Sequence, residues 1–294
     1  MADLTVIGHI AIDKIITHDA TRTQIGGPPA YVALGAGVLG RGVEAITKVG
    51  GDMPDDFLIQ FSDLGLNLQG MVVEKAPTTR FTIDYRGFER SLMVESVCAE
   101  IGSEDVELST EAAIVAPIVG EVSSETIAGI GADLMALDPQ GYLREILEDG
   151  HVWSKPWFNG EVLRRVEVFK SSVMELELVT GERDPWNGLK KILRQGVEVA
   201  MATKGGEGSL LAFGTRRYAV PAHVAVLVDP TGAGDAFLGC FFLEYLEGEE
   251  PLWCASMGSA AASFVVETTG AEIGVSPEDI RERAEDVLNR SKKI

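Results

Sequence analysis

Asp229-Pro230-Thr231-Gly232-Ala233-Gly234-Asp235 runs without a break into Ala236-Phe237-Leu238-Gly239-Cys240-Phe241-Phe242. A glycine-bounded turn followed by so long an apolar run predicts a buried helix starting near Asp235, with its first backbone amides unobstructed. Those amides have no partner inside the helix and lie at the positive end of its dipole, so they attract phosphate or a developing oxyanion. A carboxylate beside such a site repels phosphate unless it has another task. The task that fits Asp235 is general base, taking the proton of a hydroxyl that attacks a terminal phosphoryl group. The alternative is an ordinary acid in the first turn of a helix.

The remaining pattern supplies a body for that helix. Leu4 to Ile7 reads as a buried parallel strand ending at Gly8, Pro29 to Leu39 as a crossover helix, and Val43 to Val49 as a second strand ending at Gly50-Gly51-Asp52. From Ser109 onward strands and helices alternate, with strands at Ala113 to Val119, Leu134 to Asp138, Val166 to Lys170 and Val197 to Ala202. A hairpin is expected from Leu210 to Val220, and helices at Ala255 to Val266 and from Ser276 to about Arg290. This predicts an α/β fold with a Rossmann-like, mainly parallel sheet sandwiched by helices. Two β-rich blocks interrupt it, at about residues 10–25 and 71–97, and together they make a small lid sheet. No linker divides residues 1–294, which read as one domain.

A formal charge of -20 with no basic tract excludes a nucleic-acid partner. Cys98, Cys240 and Cys254 match neither a zinc pattern nor a disulfide framework, and read as buried free thiols. His9, His18, His151 and His223 have no paired spacing for zinc. The start, Met1 to Gly8, has no basic region before its short apolar run, and no stretch approaches a membrane span, so the expectation is a cytoplasmic protein with no membrane partner. Gly35-Ala36-Gly37-Val38-Leu39-Gly40 fits the dinucleotide pattern G-x-G-x-x-G but ends a helix, which suits close helix packing better than a nicotinamide site.

DPTGAGDAFLGCFF resembles the C-terminal signature of the ribokinase-like (PfkB) carbohydrate and nucleoside kinases, and the resemblance extends from Gly8 to about Ala261. It implies an anion hole from Gly232, Ala233 and Gly234, with Asp235 as catalytic base. Gly26 and Gly27 are similar to the family's N-terminal glycine pair that approaches substrate hydroxyls, but Tyr31 stands where many sugar kinases carry a substrate-binding Asn. Asp13 sits where the family often uses an Asp to bind a diol, and Gly51-Asp52 resembles its Gly-Asp near substrate and ion. Ser172 to Glu175 is similar to the family's Asn-x-x-Glu, with Ser172 for Asn and Glu175 as the acid that holds Mg²⁺ through water. Thr203, Lys204, Gly206 and Gly208 lie in a strand-end loop that resembles the one covering nucleotide phosphates. Asp138-Pro139-Gln140-Gly141 has the form found in the archaeal inositol kinase branch, which implies Gln140 on the substrate and Arg144 on the transferring phosphoryl group.

The implied activity is ATP- and Mg²⁺-dependent phosphorylation of a small polyol or sugar, with myo-inositol first. A nucleoside is the alternative, its base stacking on Tyr31 or Phe88. An inactive ligand-binding or regulatory family member is the alternative of another class. Exposed lid edges suit pairing of two copies into a homodimer.

Overall fold

The structure, a computed structural model, describes residues 4–68, 72–73, 75–87, 90–107, 109–271 and 274–294. Its main sheet follows from apolar runs too short to be helices and buried on both faces. From one edge the strands are Leu66–Leu68, Val43–Ile46, Leu4–Ile7, Ser109–Val115, Gly131–Leu137, Val168–Ser172 and Val199–Thr203, all parallel. Ser209–Phe213, Arg216–Val220 and Lys292–Lys293 continue it antiparallel. Val6 pairs with Ala45 on one side and Ile114 on the other, so the chain reverses its direction of progress across the sheet at Leu4–Ile7. Ligands of open α/β sheets bind beyond the carboxyl ends of strands at such a point.

One face of the sheet packs on the helices Pro28–Val38, Ala233–Leu246, Pro251–Val265 and Pro277–Arg290. The other face packs on Ser124–Gly129, Val173–Thr180 and Pro185–Leu193. The glycine-rich run at Gly35 serves helix packing: a Cβ there would lie 3.1 Å from Cys240 Sγ and 3.3 Å from the Ala236 carbonyl oxygen. The three cysteines are buried and free. Among the described residues, no helix is long and apolar enough to cross a membrane.

The lid is a separate four-stranded sheet in the order Thr21–Gly26, Ala11–Ile16, Thr79–Asp84, Ser91–Ser96. Its central pair is parallel and its outer pairs antiparallel. Alternation decides its orientation: Ala11, Ile15, Phe81, Ile83 and Val94 pack inward with Ile118, while Lys14 faces solvent. Glu121 fixes the base of the lid, its buried carboxylate accepting hydrogen bonds from the backbone N–H groups of His9 (2.7 Å), Ile118 (2.9 Å) and Val119 (2.8 Å).

Two expectations need correction. Val43 to Val49 is not one strand, because the chain leaves the sheet after Ile46 and the Thr47 hydroxyl accepts from the Ile10 N–H at 2.8 Å. Val49–Gly50 then pairs with Val72–Val73, so this part of the second β-rich block is not lid. Met71, Phe88 and Glu89 lie outside the described residues.

Candidate active site

The Asp229–Asp235 run folds as its composition requires. Gly232 has φ +77°, a left-handed conformation that favours glycine, and it caps the helix Ala233–Leu246. A Cβ on Gly232 would lie 2.1 Å from the Tyr31 ring, which packs directly against the turn. The Asp235 and Ala236 N–H groups are used by the Gly232 carbonyl oxygen, at 3.1 and 2.9 Å, and the Ala233 N–H leans on the Pro230 carbonyl at 3.4 Å. The Gly232 and Gly234 amides have no protein acceptor among the described residues. Two donors at the positive end of a buried helix make an anion site.

The turn faces a cavity of about 200 Å³ between body and lid. It brings together Asp13, Gly27, Tyr31, Gln140, Arg144, Glu175, Gly232, Gly234 and Asp235, from segments spread over the whole chain. Asp235 stands at its floor with its pKa raised to about 7. Burial is the main cause, Asp138 and Glu175 add to it, and Lys170 and Arg144 oppose it. Gln140 Nε2 donates to Asp235 Oδ1 over a long 3.5 Å. Across the cavity, Asp13 is also raised to about 7, chiefly by burial, with Asp229 and Asp235 adding and Arg144 opposing. Asp13 is 4 % exposed and its Oδ1 has no hydrogen-bond partner, an arrangement that costs stability unless a ligand hydroxyl completes it.

Gly26 acts through Asp13, since a Cβ there would lie 2.1 to 2.6 Å from all three carboxyl atoms. Gly27, at φ +92°, brings the start of the helix Pro28–Val38 against the His9 carbonyl. Arg144 lines the cavity with two of its donors engaged: Nη1 donates to the Ile118 carbonyl at 2.7 Å and Nη2 to Gln140 Oε1 at 2.8 Å, with the guanidinium over Phe81. Its geometry is that of a support that aims Gln140. Tyr31 is likewise a support, 1 % exposed with its hydroxyl accepting from Gln24 Nε2, so its ring is no platform for a base. Asp52 does not line the cavity, since its carboxylate accepts from Thr78 and pairs with Arg80 where the second lid block begins.

Ser172 and Glu175 form a capping box at the start of Val173–Thr180, and Glu175 still lines the cavity. Thr203 pairs with Ser172, the cap of the Glu175 helix, so the Thr203–Gly208 loop starts beside the strand end from which that helix leaves. Lys204 points elsewhere, pairing with Glu207 at 2.6 Å along a separate cleft of about 580 Å³ that also meets Pro221 and Arg290. Gly205 (φ +56°) and Gly208 (φ +94°) give the loop its turn, and Gly206 is open on its side-chain face.

The strongest cation at the site was not read from the sequence. Lys170 is 6 % exposed and donates from Nζ to Asp138 Oδ2 at 2.6 Å, and its ammonium lies beside Gly234, 2.7 Å from where a Cβ would sit. Burial alone would lower its pKa, but Asp138, Asp235 and Glu175 outweigh that and push it up to about 12, so it is a fixed charge. Its signal was a lone lysine in the strand Val168-Phe169-Lys170. Arg90, Phe81, Ile83 and Leu92 of the lid also line the cavity. No group of three metal-ligating side chains occurs among the described residues. Glu175 is a carboxylate lining the cavity, a donor of the kind that holds a hydrated Mg²⁺.

Residues 158–279 match the model of the pfkB family carbohydrate kinase. A cytidine kinase of Thermococcus kodakarensis is 27 % identical over 278 residues, 92 % of this chain and 98 % of that one. A nucleoside kinase of Methanothermobacter thermautotrophicus is 26 % identical over 298 residues, 93 % and 92 % of the two chains. Among solved structures, a pyrophosphate-dependent kinase of the ribokinase family, complexed with a pyrophosphate analog and myo-inositol, superposes with TM-score 0.80 at 21 % identity, covering 95 % and 99 % of the chains. The Methanocaldococcus jannaschii nucleoside kinase gives 0.76 at 22 % identity, covering 97 % and 99 %.

Proposed function

We propose that this chain, whose residues 158–279 match the pfkB family carbohydrate kinase model, is a phosphotransferase that transfers the γ-phosphoryl group of ATP to a hydroxyl of a small polyhydroxylated molecule held between Asp13 and Asp235. The observation that carries this reading is that two buried carboxylates, Asp13 from the lid and Asp235 from the helix start, line one cavity, with burial raising both to about 7. Their tasks differ. Asp13, with an unpartnered buried oxygen, accepts hydrogen bonds from an acceptor diol. Asp235, beside the anion site, takes the proton of the attacking hydroxyl, and a pKa near the working pH suits a general base.

The remaining residues arrange the charge. Gly232 and Gly234 amides and the Lys170 ammonium stabilise the negative charge that spreads over the phosphoryl oxygens during transfer. Arg144 holds Gln140 toward Asp235, and Glu175 is the residue that would hold Mg²⁺ through water. Bound Mg²⁺ supplies neutralisation of the phosphate oxygens. The lid excludes water and so limits loss of the phosphoryl group to hydrolysis.

A nucleoside is the acceptor we favour. The partly buried Leu92 is the apolar lid contact available to a base while Asp13 holds the ribose diol; Phe81 and Ile83 also line the cavity but are buried, with Arg144 over the Phe81 ring. The cytidine kinase similarity over nearly the whole chain supports the same reading. A cyclic polyol such as myo-inositol is the second reading, supported by Asp13 and Gln140 and by the fold likeness to the kinase complexed with it. Steady-state ADP release from Mg·ATP with cytidine, ribose and myo-inositol decides between them. Removal of the base is expected to raise KM roughly tenfold or more, the effect of losing a buried apolar contact. Equal KM for cytidine and ribose, or turnover with myo-inositol alone, would overturn the nucleoside reading.

A further inference from the structure

Asp229, the first residue of the glycine turn, is 2 % exposed, and all its bonds are accounted for within a network that reaches into the lid. Its Oδ1 accepts from the Thr231 N–H at 3.0 Å. Its Oδ2 accepts from Arg22 Nη2 at 2.7 Å and from Gln24 Nε2 at 3.2 Å, and both of these residues lie on the lid strand Thr21–Gly26. Arg22 Nε in turn donates to Gln24 Oε1 at 3.0 Å, which fixes the Gln24 amide so that its nitrogen serves both Asp229 and the Tyr31 hydroxyl. Tyr31 packs against Gly232. From the other lid block, the Tyr85 hydroxyl approaches Thr231 Oγ1 at 3.4 Å.

The lid therefore holds the catalytic turn at three points: the Asp229 carboxylate, the Thr231 hydroxyl and, through Tyr31, the face of Gly232. We propose that Arg22 and Gln24 are positioning residues that latch the lid strand to Asp229, so that the Gly232 and Gly234 amides stand in register for phosphoryl transfer only while the lid is seated. Burial would raise the Asp229 pKa, and the bonds from Thr231, Arg22 and Gln24 outweigh it, so the latch is a charged pair over the working range. Arg22 is half-buried and reaches from the lid to a partner on the body. The latch rests on the kinase reading, and it adds a consequence for specificity. With the latch intact, the terminal phosphorus is offered to the acceptor hydroxyl. With the lid loosened, water enters and attacks instead: the bond from phosphorus to the ADP oxygen breaks, a bond to the water oxygen forms, and ADP, inorganic phosphate and a proton leave.

The experiment follows ADP and inorganic phosphate together, with Mg·ATP and cytidine, in wild type, Arg22→Lys, Arg22→Ala and Gln24→Met. Arg86→Ala is the control, since Arg86 pairs only with the neighbouring lid residue Asp84. The expected result for Arg22→Ala and Gln24→Met is a ratio of inorganic phosphate to phosphorylated acceptor raised at least about fivefold, with kcat for transfer reduced roughly tenfold, as for loss of one buried charged contact. Arg22→Lys, which keeps the charge without the fork, falls between. A purely structural role lowers both products in proportion and leaves the ratio at the wild-type and Arg86→Ala value; that result overturns the latch. Absence of acceptor-stimulated ADP release in wild type, with cytidine and with myo-inositol, overturns the kinase reading and not the latch geometry.

Discussion

Asn in place of Asp235 should make the protein more stable at pH 8 while removing its activity. The ordinary carboxyl pKa of 3.8 is raised to about 7 in the folded chain, a difference of roughly 3 units at about 1.4 kcal/mol each. The sign follows from proton binding. Below about pH 4 the group is neutral in both folded and unfolded chains and contributes nothing. Between about 4 and 7 the folded chain keeps a proton that the unfolded chain has released, so wild-type stability falls as pH rises, and above about 7 the loss is complete. The full figure is about 4 kcal/mol, and relaxation around the ionised group reduces it to about 2 kcal/mol as a working minimum. Asn keeps the contact with Gln140 and leaves the Lys170–Asp138 pair intact. Asp13 titrates in both proteins, but losing the Asp235 charge also lowers the Asp13 pKa, which adds to the variant's gain at high pH. Urea unfolding at pH 5, 6.5 and 8 is the assay. The Asn variant should match wild type only below about pH 4, show part of the difference at pH 5, and exceed it by about 2 kcal/mol at pH 8, a rise in Tm of roughly 5 °C. A variant equally or less stable at pH 8, or a difference that does not change with pH, would refute the account of Asp235 as a buried charge held against its environment.

Gly232→Ala should cost about 2 kcal/mol or more in stability and about a hundredfold in kcat, because φ +77° is unfavourable for alanine and the new Cβ meets a Tyr31 ring that has no room to leave; retention of kcat within threefold contradicts the role given to the turn. The pH–rate profile of kcat/KM should fall through about 7 on the acid side, approaching tenfold per unit, since Asp235 must be ionised to act; Asp13, also near 7, makes the limb steeper if acceptor binding needs its charge. A flat profile from pH 6 to 8 would contradict both assignments.

Much of this architecture is local and was therefore legible. Apolar strands alternate with capped helices, Ser172 and Glu175 sit at capping-box spacing, and the Gly232-to-Asp235 turn announces its helix within seven residues. Gln140 and Asp235 stand in the first turns of helices, and Asp13 comes from the lid strand Ala11–Ile16 that lines the same cavity. The rest depends on pairings that no local pattern encodes. Lys170 meets Asp138 at a sequence separation of 32, and Arg22 meets Asp229 at 207. Tyr31 was read as a contact to substrate because its residue type suits one; the fold places it beneath Gly232, where volume and a fixed hydroxyl matter more than an open ring. The phosphoryl role that the family resemblance implies for Arg144 carried no sign of the bonds it makes to the Ile118 carbonyl and Gln140 from the wall of the cavity. The break after Ile46 escaped notice because Thr47 is a good strand residue that here serves the lid base.

The most direct test of the central claim is transfer of the terminal phosphoryl group from Mg·ATP to cytidine or myo-inositol, measured as phosphorylated product for wild type and Asp235→Asn at pH 8. Acceptor-dependent product in wild type, reduced about a thousandfold in the variant while ATP binding is kept, is the predicted result. Product formed by the variant within threefold of wild type would contradict the assignment of Asp235 as the base.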